Sequence, residues 1–334
     1  MPVHSSPSTQ LPPELLYDIL STSSKRTLRA TSLVHSSWRG PSQALLERDL
    51  SLPSRRVAKS WLQVEGRKCK SRRLSLPVGL DTEDCWEVFE SVEGLKELSL
   101  VAQEGAAGKS KFEGEVLECS RLKDIEALHL AAPFSEPIYP STTYTFPFSL
   151  SSLSCKGLFS AYPSAFITSL VASSLTTLVA LDLDTYGSHS SASTFFSALL
   201  PIAPTLKHLE LHGSDRQVAP LLAFLTGCVS LKSFTCWEAT LPLLSSLPPS
   251  LRTLTIGKNY TFHSDMLYDE LLTRSGLLEQ LRTIRWAGIS RATLKAQRGG
   301  SELLQECDER GIAVQFGVES VGDWFGYSMF GIGR

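Results

Sequence analysis

The sequence predicts an α/β solenoid, a curved parallel sheet with helices along its outside, preceded by a small all-α module. Three observations predict it. One short phrase, with apolar residues at its first, fourth and sixth positions, recurs along most of the 334 residues. The stretches between its copies often carry apolar residues at helical spacing. Residues 11–50 lack the phrase and carry the apolar stripes of short helices instead.

Composition bounds the function classes. With 42% hydrophobic and 20% charged residues the chain can bury one large core and a small one. A formal net charge of -2 and a pI near 6.4 offer no general attraction to nucleic acid or an anionic membrane, so neither is expected as a partner. No apolar run reaches the roughly 18 residues of a membrane-spanning helix. Residues 1–10, which include Met1, Pro2 and Val3, have neither a basic nor an apolar signal region and are expected to be disordered. The expected location is cytoplasmic, nuclear or both.

In residues 11–50 the order is Leu11, Pro12, Pro13, Glu14, Leu15, Leu16, Tyr17, Asp18, Ile19, Leu20, followed by Leu28, Leu33, Val34 and Ser37-Trp38-Arg39. Proline suits the first helical turn, where its missing N–H costs nothing, and Leu15, Leu16, Ile19 and Leu20 then share one stripe. So small a module cannot hide several stripes by itself; it needs the solenoid or another protein against it. Residues 51–71 read as a linker or capping segment. The run Arg67-Lys68-Cys69-Lys70-Ser71-Arg72-Arg73 at its end is a solvated linker, with an import signal or a phosphate-reading patch as alternatives.

The repeats occupy residues 72–316. Clear copies include Leu95-Lys-Glu-Leu98-Ser-Leu100, Leu178-Val-Ala-Leu181-Asp-Leu183 and Leu206-Lys-His-Leu209-Glu-Leu211. Central residues fall at 74, 98, 128, 153, 181, 209, 234, 254, 284 and 314, in steps of 20 to 30. Helices are expected over Trp86–Val92, Ala165–Val171, Phe195–Leu200, Leu221–Leu225 and Leu267–Leu281. One helix-plus-strand unit cannot bury its own apolar face, so units stack and their strands align into a parallel sheet. Residues pointing away from the core then line the concave side: Glu97, His129, Asp182, Asp184, His208, Glu210, His212, Trp237 and Arg285. They form the expected recognition face for a protein target, a polar and partly acidic patch suited to a basic segment. Residues 131–149, rich in proline and aromatics, are expected as a binding loop or a cover, and residues 317–334 as a tail capping the last repeat.

Chemistry-bearing constellations are few. Seven cysteines at irregular spacing show no zinc pattern and read as reduced core thiols. His208 and His212 lie about 13 Å apart along a strand, too far to share one metal; Glu210 paired with His208 or with Asp182 leaves that chemistry geometrically open, but no metal, cofactor or catalytic residue is expected. Ala106-Ala107-Gly108-Lys109-Ser110 resembles the end of a phosphate loop, but Gln103 stands where the first glycine belongs. The expectation is a binding protein and not an enzyme.

Over residues 72–316 the phrase resembles the leucine-rich-repeat family, with one departure: the family's buried Asn after each strand is missing, since Asn259 is the chain's one asparagine. Ser214 or water is expected to satisfy the turns instead. The Leu-Pro-x-Glu-Leu-Leu-x-x-Ile-Leu opening with Ser-Leu-Val-x-x-Ser-Trp-Arg downstream resembles an F-box. That resemblance implies docking on a Skp-type adaptor of a cullin-RING ubiquitin ligase, with Leu11, Pro12, Leu15, Leu16, Ile19, Leu20 and Trp38 as adaptor contacts. The polar run Ser21-Thr22-Ser23-Ser24 departs from the family pattern. The alternative is a leucine-rich-repeat scaffold or inhibitor with no ligase link, its first helices merely capping the solenoid.

Overall fold

The computed structural model describes residues 13–34, 36–64, 66, 68–102, 113–131, 143–156, 164–184, 192–212, 218–236, 239–257, 264–273 and 280–317. Leu11, Pro12, Arg67, Lys109, Ser214, Trp237, residues 1–10, most of the 131–149 stretch and residues 318–334 therefore lie outside the description, as does the side chain of Asp184.

Three helices open the chain: α1 (Pro13–Ser21), α2 (Lys25–Val34) and α3 (Ser36–Arg48). The polar run between the first two makes both caps. Ser21 and Thr22 hydroxyls donate to the Asp18 and Ile19 carbonyls at 2.7 and 3.0 Å, and Ser24 Oγ accepts from the Thr27 amide at 3.1 Å. Leu20, Leu28 and Leu45 form the small core of this trio, with Trp38 and Leu46 packed against it. A Thr31–Ser42 hydroxyl pair at 2.9 Å satisfies a buried serine between α2 and α3.

Eleven strands form one parallel sheet: β1 (Asp49–Ser51), β3 (Arg73–Pro77), β5 (Glu97–Val101), β6 (Ala127–Ala131), β7 (Ser152–Cys155), β8 (Ala180–Asp184), β9 (His208–His212), β10 (Ser233–Cys236), β11 (Thr253–Ile256), β12 (Thr283–Ala287) and β13 (Ala313–Gly317). Two-residue strands β2 (Cys69–Lys70) and β4 (Val92–Glu93) pair separately. The sheet begins one strand before the first repeated phrase, because Asp49–Ser51 is too short to carry that phrase yet pairs with Arg73–Ser75. Since β1 leaves α3 directly, the helices are fastened to the sheet: the Arg72 amide and the Ser71 hydroxyl both donate to the Arg48 carbonyl, at 3.0 and 2.9 Å.

All ten phrase centres stand in one register column, from Leu74 and Leu98 through Leu181 and Leu209 to Ile284 and Val314. That column and the sixth-position column, Leu76 to Trp286, point into one continuous core. Each fully buried leucine contributes about 1.5–3 kcal/mol by leaving water, so stacking, and not any single turn, holds the sheet. Helices are found where they are expected between phrases, at Thr82–Ser91, Ser164–Ala172, Ala192–Leu199, Val218–Gly227 and Ser264–Thr273. Three end before the expected bound: Val92 begins β4, Leu200 opens a 3-10 turn, and the helix expected as far as Leu281 is described only to Thr273, with Leu281 itself outside any helix. The repeat before β6 uses two 3-10 turns instead, Gly114–Glu118 and Ser120–Asp124. Before β7 the wall is aromatic: Tyr144, Phe146 and Phe148 stack in series at 5.8 and 5.4 Å, and Phe166 meets Phe146 edge-on at 5.5 Å.

A ladder of hydroxyls joins neighbouring repeats at the strand entrances, at the other end of the strand from the family's asparagine. The residue just before the first leucine of a phrase is Thr177, Thr205 or Ser250, and its hydroxyl donates to the carbonyl of the first leucine one repeat earlier: Leu150 at 2.7 Å, Leu178 at 3.0 Å and Leu231 at 2.8 Å. Beside them, single carbonyls such as Lys96, Glu126 and Val179 each accept two amides from the next repeat. Near the C-terminal end, Gly299 sits at φ 73° with Asp265 backbone against it, and a Cβ on Gly300 would collide with the Leu294 carbonyl, so only glycine lets the last helices close there. Among the described residues no helix is long and apolar enough to cross a membrane.

Candidate functional site

Side chains alternate along a strand, so the residue between the two buried columns points to the opposite face. Across the sheet this residue reads Ser75, Ser99, His129, Ser154, Asp182, Glu210, Thr235, Thr255, Arg285 and Gln315. Its centre is a connected polar network. Asp182 and Glu210 stand directly opposite on β8 and β9 and are only 3% and 7% exposed. Nε2 of His212, two residues beyond Glu210, lies 3.1 Å from Asp182 Oδ1 and 2.5 Å from Glu210 Oε1. The other oxygen of Asp182 accepts a hydrogen bond from Ser154 Oγ at 2.8 Å and faces Lys156 Nζ at 3.3 Å. Because the Ser154 proton goes to the carboxylate, His129 Nδ1, 2.9 Å away, is the donor to Ser154.

Burial and neighbouring charge set the protonation of these groups. Burial pushes the His212 imidazole down, but contact with Asp182 and Glu210 overrides it and raises the ring to about 9. Asp182 is pushed up by burial and pulled further down by His212, Lys156 and Ser154, so it stays below the usual carboxylate range. Glu210 goes the other way: burial and the Asp182 charge outweigh His212. Two carboxylates facing each other on adjacent strands repel, and the one with fewer partners yields first. His129 is held neutral, down to about 4, by burial and by the Lys156 charge.

The structure thus gathers four of the residues expected on this face, His129, Asp182, Glu210 and His212, and leaves others apart. Glu97 lies toward the sheet's first edge, 2.5 Å from Arg73 Nε. Arg285 donates to Gln315 at 2.9 Å near the last edge. His208 is exposed at the start of β9. Ser154 and Lys156 complete the network and were not foreseen, because their phrase ends in Cys155 and reads as a weak copy. The signal that finds Ser154 is register: it fills the same outward position as Asp182.

A second surface lies on the helical trio. Leu16 and Leu20 of α1 are buried, while Leu15 and Ile19 are 49% and 52% exposed, and Leu33 and Val34 at the end of α2 are 88% and 76% exposed. Trp38 packs partly against the trio's core. Between the trio and the first strands is an open cleft of about 490 Å³ lined by Tyr17, Arg48, Lys70, Arg72 and Glu93.

No family model matches the chain, and no curated protein matches it. Among solved structures it is similar to the leucine-rich-repeat protein LegL7 from Legionella pneumophila, at 14% identity over 80% of this chain and 89% of that one, with a TM-score of 0.50. A Bacteroides fragilis protein matches at 14% identity over 79% of this chain and 69% of its own, with a TM-score of 0.47. The yeast Rad7 and Elc1 complex matches at 14% identity over 82% and 74%, with a TM-score of 0.40. The likeness to LegL7 agrees with the stacked parallel sheet: the fold is a leucine-rich-repeat solenoid.

Proposed function

We propose that this chain is a substrate-recognition subunit of a cullin-RING ubiquitin ligase, holding a Skp-type adaptor through residues 11–50 and a target protein on the face of the sheet. It supplies proximity and no catalytic group of its own; ubiquitin transfer occurs on other subunits. The carrying observation is the helical trio's division of labour. Its own core hides Leu20, Leu28 and Leu45, and Leu16 is buried as well, yet Leu15, Ile19, Leu33 and Val34 remain turned to solvent. An isolated cap on a solenoid gains nothing from exposing them, and exposed apolar pairs, Leu15 with Ile19 one helical turn apart and Leu33 beside Val34, suit a docking surface. The resemblance of residues 11–39 to an F-box names the chemistry of the partner: an adaptor with an apolar groove.

The test uses the full chain purified with a Skp-type adaptor. We expect co-elution, lost at least tenfold in affinity when Leu15→Asp and Ile19→Asp are combined, because both side chains are exposed and the fold tolerates the change. Leu16→Asp is a poor test, since it buries a charge. Co-elution unaffected by the exposed pair, or no co-elution of the unaltered chain, overturns the ligase reading and leaves a free repeat scaffold.

A further inference from the structure

We propose that Asp182, Glu210 and His212 form a binding site for a divalent metal ion of the zinc class on the face of the sheet. One donor atom from each residue lies within 4.8 Å of the other two. Two carboxylate oxygens and one imidazole nitrogen are a donor set that first-row divalent ions accept, and three protein donors leave a fourth position open.

A cluster of acids alone would not carry this; two further observations do. Asp182 Oδ1 and Glu210 Oε1 are buried and accept no hydrogen bond, although His212 Nε2 stands close to both. One imidazole nitrogen bears at most one proton, directed along one axis, so it cannot satisfy two oxygens on different strands, whereas an ion that displaces this proton from Nε2 to solvent can bind all three atoms. Buried acceptors left unsatisfied cost about 1–3 kcal/mol each, and a divalent ion offsets the repulsion of two facing carboxylates with twice the charge of the imidazolium it replaces.

The second observation is the shell behind the donors. Ser154 and Lys156 both engage Asp182 through Oδ2, which turns Oδ1 toward His212 and Glu210, and His129 holds Ser154 in turn. Outer partners that fix one carboxylate oxygen and free the other are how proteins orient a metal ligand. Bonds of about 2.0–2.2 Å place tetrahedral donors roughly 3.4 Å apart. The 3.1 Å Asp182 contact is near that spacing, and the 2.5 Å Glu210 contact has to open by about 1 Å.

The full chain, stripped with chelator, is titrated with Zn²⁺ by calorimetry and with Co²⁺ by absorption. We expect one equivalent of each, Co²⁺ ligand-field bands without a thiolate charge-transfer band, and at least tenfold weaker uptake in Asp182→Asn and His212→Gln. His208→Gln, exposed on the same strand, should bind as the unaltered chain does. No uptake by the unaltered chain, a thiolate band pointing to the cysteines, or uptake unchanged in both variants overturns the site. The unaltered chain alone decides the first two outcomes, so a variant that fails to fold cannot rescue the idea. Adaptor binding is independent of all of them.

Discussion

The helical trio and the solenoid solve one problem at very different scales. The trio closes over three buried leucines with Trp38 and Leu46 beside them. The solenoid runs one core from Leu52 to Ile312, to which each repeat adds a layer. A core of three leucines cannot by itself offset the ordering of more than thirty residues, so the trio depends on its attachment to β1. The solenoid needs no such help, because nearest-neighbour stacking supplies its stability. The two most exposed large apolar residues of the described chain, Leu33 and Val34, go with the smaller core, while the solenoid exposes single residues such as Val229 along its length.

Deleting a core side chain in each region is the strongest test of this contrast. Phe234 is fully buried, and Phe234→Ala should cost about 3–5 kcal/mol in denaturant melts, with hydrogen-exchange protection falling across β9 to β11. Leu20→Ala should cost less and strip protection from Pro13–Arg48 while leaving the sheet protected. Uniform loss of protection in both variants would erase the distinction between the regions.

A smaller effect is expected from pH, and within the solenoid only. His129 is held neutral to about 4 against an ordinary value of 6.5. The folded chain therefore binds fewer protons at this site than the unfolded chain as pH falls below 6.5, and stability present above that value is lost toward 4. By pH 5 the loss should be about 1–2 kcal/mol, and His129→Gln should flatten that part of the stability curve. A curve unchanged by the substitution would show that the ring is not held neutral.

The smallest effect belongs to the hydroxyl ladder at the strand entrances. Thr177→Val and Thr205→Val should each cost about 1 kcal/mol, since each leaves a carbonyl of the preceding repeat without its donor. Melts that do not move would mean that the doubly accepting carbonyls beside them suffice.

Much of the fold was legible because its rule is local and repeated. Leucines at first, fourth and sixth positions name the buried columns, and every predicted centre became a strand residue. The ladder leaves a trace in the sequence too: Thr177, Thr205 and Ser250 each stand just before the first leucine of a phrase, as Ser149 and Ser230 also do, although Ser149 donates instead to the Ser173 carbonyl. β1 was not legible, since three residues carry no period and form a strand only because β3 offers an edge.

By itself, then, the sequence determined the stacking, because the burial of regularly spaced leucines has one low-energy arrangement whatever the target. Tertiary structure alone decided which outward residues meet. His212 and not His208 turns toward Asp182, and Ser154 and Lys156 join from a weakly marked repeat, because contact across strands depends on register and side-chain direction, which one-dimensional spacing does not encode. The same holds for α1, where neighbouring leucines divide between core and solvent according to how three helices pack.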